Sequence, residues 1–198
     1  PILGGIRLTT KSLDDDVLTL DATNLEVSLK ANIRGHNNIK VFEEGQTVIN
    51  GKILAEAINK LSGQVVTLTV DEHNAIIESG KSKLTLPVFR NEDYPDLGEE
   101  LSCQESFTID ADELQEAVKK TSFATVKEDP RIFLTGVLFE VEDGTLKLVA
   151  TDVSRLAIYS IPLPAHNFGS TSSLSFLVPV TSLKLAMTIF NGKGKLSF

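Results

Sequence analysis

The side chains from which chemistry could be built in this 198-residue chain are three histidines, one cysteine, a run of aspartates and two lysine-rich glycine turns. His36, His73 and His166 each sit in a polar, turn-like setting, and none has a second His or Cys at metal-ligand spacing. Cys103 stands alone, so neither an internal disulfide nor a cysteine-based zinc site can form. Asp14-Asp15-Asp16 offers hard oxygen donors without the alternating ligands and closing glutamate of a calcium loop, a pattern that predicts a hairpin tip. Ser79-Gly-Lys-Ser-Lys83 and Gly192-Lys-Gly-Lys195 lack the leading glycine of a phosphate-binding loop and do not open a helix after a strand, so they read as turns. No catalytic constellation, metal site or cofactor is predicted.

What remains is charge and one interrupted strand. The net charge is -8 and the isoelectric point about 4.9, a mean field that repels nucleic acid unless basic residues are segregated onto one face. Lys60, Lys119, Lys120 and Lys184 are candidates for such a face, because each lies on the outward side or at the end of an amphipathic helix. In Ala150-Thr-Asp-Val-Ser-Arg-Leu-Ala-Ile-Tyr159 an apolar strand is broken by a polar step ending in Arg155.

The elements that position these residues follow from periodicity. Val17–Leu20, Leu25–Leu29, Val65–Val70, Ala75–Ser79 and Lys83–Val88 read as strands, and Glu142-Asp-Gly144 as a hairpin turn. A helix over Gly51–Leu61 buries Ile53, Leu54, Ala57, Ile58 and Leu61. A second, over Asp110–Phe123, opens with Asp110 and Glu113 as a capping-box-like pair and buries Leu114, Ala117, Val118 and Thr121. A third starts at Thr181 or Ser182, packs Leu183, Ala186, Met187 and Phe190 inward, and ends at Asn191-Gly192. The fold class is α+β.

These elements recur. Ile2–Leu8 is similar to Phe133–Phe139, Leu18–Asn24 to Leu146–Asp152, and Val48–Gly63 to Leu177–Gly192, in the same order at an offset of about 130 residues. Two related domains are expected, residues 1-104 and 105-198, with the acidic, aperiodic Phe89–Gln104 as linker. The first unit lacks a counterpart of the Asp110–Phe123 helix and the second stops early, so the chain is expected to be a fragment of a longer one. Ala150-Thr-Asp152 aligns with Ala22-Thr-Asn24, whereas Ser154-Arg155 finds no counterpart in the first unit. No apolar run reaches the roughly 20 residues of a membrane span and no signal-like start is present, so a soluble cytoplasmic protein is the default.

Thr151-Asp-Val-Ser-Arg-Leu-Ala157 resembles the Thr-Asp-x-x-Arg-Leu-Ala signature of the bacterial sliding clamp, the beta subunit of DNA polymerase III. Thr121–Thr125, Asp129–Glu140, Leu148–Asp152, Ser79–Lys83 and Glu92–Asp96 also resemble clamp segments in family order. The resemblance implies repeated clamp domains, each with two inner helices packed on outer antiparallel β-sheets. It also implies a head-to-tail homodimer ring around duplex DNA, non-catalytic and nucleoid-associated. Parts of domains one and two and all of domain three would then lie outside this chain. By position, Lys60, Lys119, Lys120 and Lys184 would face the pore, with Lys127 and Arg131 as further DNA-contacting candidates. A peptide-binding cleft for the polymerase catalytic subunit, the clamp loader and repair polymerases would draw on Leu134, Thr151, Val153, Ser154, Arg155 and Leu156, with Leu134 and Leu156 offering apolar surface. Many family members carry a small residue then His where this chain has Val153-Ser154. The competing reading is an acidic α+β protein-interaction module without a nucleic-acid role.

Overall fold

A computed structural model describes residues 2–12, 16–35, 39–97, 107–164, 173–190 and 194–198, and the chain divides into two compact units, Pro1–Glu100 and Leu101–Phe198. In the first unit, β1 (Gly5–Ser12), β2 (Asp16–Thr23), β3 (Ser28–Arg34), β4 (Gly45–Asn50), β5 (Thr67–Val70), β6 (Asn74–Ser79) and β7 (Ser82–Phe89) form one antiparallel sheet in the order β3-β2-β1-β4-β7-β6-β5. Helix α1 (Gly51–Lys60) follows β4 directly. Asn50 starts it by accepting the Ile53 N–H at 3.0 Å, which satisfies one of the amides a helix leaves open at its first turn.

Among its described residues the second unit has two α-helices, α2 (Ala111–Thr121) and α3 (Val180–Phe190). Its four-stranded sheet runs β11 (Leu156–Pro162), β10 (Thr145–Thr151), β9 (Gly136–Glu142), β12 (Ser173–Pro179). A two-stranded sheet pairs β8 (Thr108–Asp110) with β13 (Lys195–Ser197). The order β11-β10-β9-β12 repeats β3-β2-β1-β4, and in both units the last strand of the set runs straight into a helix. The weak sequence similarities therefore mark equivalent strands.

Each unit has its own core. Leu8, Ile49, Leu54, Ala57, Ala75 and Ile77 form the smaller one. The larger is organised around Phe107, Phe139, Phe176 and Phe198, whose rings lie 5.2 to 6.4 Å apart between centroids and tie the last strand to the main sheet.

Turn chemistry follows the sequence closely. Asp143 and Gly144 take φ of +48° and +70° between paired Glu142 and Thr145, the left-handed pair that a two-residue hairpin of this twist requires. Ser79-Gly-Lys-Ser82 is likewise a tight hairpin turn. Asp16 begins β2, and the rest of the aspartate run, like His36, Cys103, His166 and Asn191-Gly192, lies outside the described residues.

Several expectations are corrected. Residues 24–27 form a turn, so the strand expected over Leu25–Leu29 starts at Ser28 and runs to Arg34. Ile53 and Ile58 are half exposed; only Leu54 and Ala57 of α1 are buried. Phe190 is also exposed. No capping box forms at Asp110, because its backbone is already engaged in the pairing with Lys195 and the Ala111 N–H donates to Gly194 O at 2.9 Å. The start of the expected linker belongs to the first unit. Phe89 pairs with Val48, and Tyr94 is buried, its hydroxyl within hydrogen-bond distance of Asp21 O (3.0 Å) and Gly5 O (3.3 Å).

Gly136 opens β9 where a Cβ would stand 2.8 Å from Val178 O and 2.9 Å from Leu177 Cγ; Gly5 opens β1 under the same crowding, against Val48. Gly136→Ala is therefore expected to lower unfolding free energy by about 1–3 kcal/mol, measurable by urea denaturation. A stability equal to the parent's would contradict the close approach.

Candidate functional site

The polar break in the strand is a six-residue turn, Thr151 to Leu156, joining β10 to β11. Thr151 Oγ1 donates to Arg155 O at 2.7 Å and accepts the Val153 N–H at 3.1 Å. Asp152 Oδ1 accepts the N–H groups of Ser154 (3.1 Å) and Arg155 (3.0 Å). These bonds hold Val153 at φ +77°, a conformation that a β-branched residue rarely adopts, and turn its side chain outward. The second carboxylate oxygen, Oδ2, accepts Arg155 Nε at 2.7 Å. That hydrogen bond, more than the loop amides, draws the Asp152 carboxyl below its ordinary pKa. The Arg155 guanidinium lies 5.7 Å from the centroid of the Phe123 ring.

The first unit contains the same turn. Thr23 Oγ1 donates to Val27 O and accepts the Leu25 N–H, Asn24 Oδ1 accepts the N–H groups of Glu26 and Val27, and Leu25 sits at φ +74°. Ser154-Arg155 therefore does have a structural counterpart, Glu26-Val27, contrary to the sequence comparison. Side chains conceal it, since the bonds that define the turn use the backbone of these positions.

Of the residues assigned to the docking surface, Thr151, Val153, Ser154, Arg155 and Leu156 come together in this turn, and Val153 and Leu156 are 67% and 62% exposed. Leu134 is a correction. It closes a short 3-10 turn, Ile132–Leu134, its carbonyl accepts the Val126 N–H at 2.8 Å, and its side chain is wholly buried, so it offers no apolar surface here. Phe123, Ile132 and Phe133 are exposed instead. Sequence reasoning assigned Phe123 to a helix and passed over Ile132-Phe133; the available signal was large apolar residues set among turn-forming polar ones.

The basic residues separate into groups. Lys119, Lys120 and Lys184 line one groove of about 740 Å³ between α2 and α3, with Asp112 and Glu116 also on its walls. Lys119 and Lys120 occupy the last turn of α2, where the helix dipole favours positive charge. Lys60 is exposed on the last turn of α1 in the other unit. Lys127 lines a second groove of about 500 Å³ with Asp129, Pro130 and Val180. Arg131 is engaged with Asp129, donating from Nε at 2.9 Å and from its terminal nitrogen at 3.0 Å. That fork, joined by the Arg131 backbone N–H, lowers the Asp129 pKa to about 2.

His73 lies in a turn, its N–H bonded to Asp71. Among the described residues no three His, Cys, Asp or Glu side chains are grouped to hold a metal ion, and no helix is long and apolar enough to cross a membrane.

Comparison with known proteins agrees with this architecture. The N-terminal domain of the DNA polymerase III beta subunit matches residues 1–98, and its central domain matches residues 108–197. The beta sliding clamp of Halalkalibacterium halodurans is 33% identical over 172 residues, covering 84% of this chain and 44% of that protein. That of Salmonella typhimurium is 28% identical over 193 residues, covering 97% and 50%. Among solved structures, the DNA polymerase III subunit beta of Pseudomonas aeruginosa superposes with a TM-score of 0.85 at 27% identity, and the sliding clamp of Bacillus subtilis with 0.84 at 25%; each covers all of this chain and 52% of the other. The fold is thus that of tandem α+β domains like those of the solved DNA polymerase sliding clamps. The chain belongs to the bacterial beta sliding clamp family, the beta subunits of DNA polymerase III. It spans about half the length of the relatives it matches.

Because the Asp129 value is depressed, its ionised form adds stability above the ordinary carboxylate value of 3.8, and the contribution is lost as pH falls through about 2. Arg131→Ala is expected to return the Asp129 midpoint toward 3.8 in a carboxyl ¹³C NMR titration; a midpoint unmoved from about 2 would show that the fork is not its cause.

Proposed function

We propose that the protein is a non-catalytic sliding clamp that encircles duplex DNA as a homodimer and tethers the polymerase catalytic subunit, the clamp loader and repair polymerases through short peptides. The single observation that best supports this beyond family membership is the convergence of Lys119, Lys120 and Lys184 on one groove of a protein whose net charge is -8. An acidic surface discourages stray binding, while a local strip of lysines attracts phosphates without reading bases. Such contacts are weak and screened over about 8–10 Å at working salt, which lets topology hold the protein on DNA while it slides. In this reading Lys60, on the first unit, and Lys127, on the second, are further DNA-contacting residues, and Arg131 becomes one by exchanging Asp129 for phosphate. The acidic interaction module is the less favoured reading, because it leaves the family match and the lysine groove without a role.

The docking partner on the second unit is a peptide with apolar anchors, received by Val153, Leu156 and the stem of Arg155, with Thr151 and Ser154 shaping the turn. Two experiments test these assignments. Replacing Lys119, Lys120 and Lys184 together by glutamine in the intact protein is expected to flatten the salt dependence of DNA binding by up to about one unit of log–log slope per lysine. An unchanged slope would remove these residues from the DNA-facing surface. Arg155→Ala and Leu156→Ala are expected to weaken peptide binding by about 1–2 kcal/mol each, without loss of DNA encirclement, and equal affinity in titration of both would refute the docking surface.

A further inference from the structure

Helix α2 carries a carboxylate placed to cancel the lysines beside it, and that carboxylate is held elsewhere. Glu116 precedes Lys119 by three residues and Lys120 by four, and all three side chains are exposed. On a helix these are the spacings at which unlike charges meet, and a glutamate four residues before a lysine is the favourable order. The Glu116 carboxylate is instead the hydrogen-bond partner of the Tyr159 hydroxyl. Neither Lys119 nor Lys120 has an ion-pair partner among the described residues. Asp112, the other acid on the groove wall, has Gln115 and Glu116 at the same spacings and no lysine.

The place of Tyr159 follows from the sheet. On the edge strand β11 it alternates with the exposed Ile158 and Ser160, and it pairs with Leu148 of β10, so its ring lies on the side of the sheet that α2 covers. The partly buried ring packs against the core and sends its hydroxyl to the carboxylate on α2. Burial, reinforced by the Glu116 and Glu113 charges, holds that hydroxyl above its ordinary pKa, so at neutral pH it remains a donor.

We propose that Tyr159 is a positioning residue for the lysine groove: by keeping the Glu116 carboxylate on the β11 side of α2, it leaves Lys119 and Lys120 unpaired and available to DNA phosphates. This rests on the DNA-facing reading given above. The groove is lined by three lysines and two acids, so its excess is a single positive charge, and where each carboxylate is held decides how that charge is presented. A lysine paired with Glu116 has to give up that partner before it neutralises a phosphate, which lowers both the affinity and its salt dependence.

The test uses Tyr159→Phe in the intact protein, which removes the hydroxyl and keeps the ring. Once released, Glu116 is expected to turn to Lys119 and Lys120, weakening the binding of a labelled duplex oligonucleotide about twofold at low salt and reducing the log–log salt slope by up to about one unit. In a Glu116→Gln background, Tyr159→Phe is expected to change neither quantity. Acetylation with limiting acetic anhydride, mapped by mass spectrometry, follows the same contact without DNA. Lys119 and Lys120 are expected to react about twofold more slowly in Tyr159→Phe, and the difference to vanish in the Glu116→Gln background. Parental acetylation and parental DNA binding in a folded Tyr159→Phe protein overturn the proposal. An equal loss of DNA binding in the Glu116→Gln background overturns it too, since Tyr159 would then act through packing alone. If acetylation slows as expected while DNA binding and its salt slope stay parental, the proposal falls with the DNA-facing reading of the groove and not with the contact between Tyr159 and Glu116.

Discussion

One end of each sheet depends on a turn that places a bulky residue in left-handed backbone and holds it there with side-chain oxygens. Left-handed φ at Leu25 and Val153 costs on the order of 1–2 kcal/mol each. Each turn offsets this with several bonds from a Thr hydroxyl and an Asx oxygen, at about 0.5–1.5 kcal/mol net apiece. The Thr-Asx pair is thus what makes the conformation affordable without glycine. With the backbone fixed this way, the residues after the Asx are free of structural duty, and their side chains can be chosen for what they meet. In one unit they are Glu26 and Val27, in the other Ser154 and Arg155.

That division explains which parts of the site were legible in the sequence. The two-domain repeat and the strand-to-helix passage were readable because the apolar segments Ile2–Leu8 and Phe133–Phe139, and the helix-bearing Val48–Gly63 and Leu177–Gly192, recur at an offset of about 130 residues; the strand order came from the fold. The turn was readable only as a polar break, since its equivalence rests on main-chain bonds that leave no common residues after Thr-Asx. Leu134 misled for a related reason. It was assigned by its position in the family resemblance, yet a 3-10 turn rotates successive side chains by about a third of a circle, and the one that is buried is Leu134, with Ile132 and Phe133 exposed.

The same limit applies to helix faces. In α1 the periodicity that nominated Ile53, Leu54, Ala57, Ile58 and Leu61 describes a stripe wider than the part that is buried. Tyr94 shows the converse. A stretch that is acidic and aperiodic reads as linker, but one aromatic side chain with a hydroxyl is enough to anchor it, because Asp21 and Gly5 present carbonyls that need a donor. Arg7, paired with the buried Asp21 at 3.2 Å and lying 5.3 Å from the Tyr94 ring centroid, closes that cluster.

In the second unit a single element carries both surfaces. Helix α2 buries Leu114, Ala117 and Val118 against β10 and β11 and turns Lys119 and Lys120 toward the groove it shares with α3. Thr121, fully buried with its hydroxyl bonded to Ala117 O at 2.8 Å, ends the regular helix. The 3-10 turn that follows delivers Phe123 beneath Arg155, while Ala124 packs into the core. Four residues along the chain therefore separate the lysine strip from Phe123. Both are fixed to the core in which four phenylalanines tie β8 and β13 to the main sheet. Close packing makes such a core resist small displacements, so the backbone that carries the lysines and Phe123 has a firm base. In the sliding-clamp reading proposed above, a protein that slides on one face while holding a partner on another would gain from carrying both surfaces on one helix.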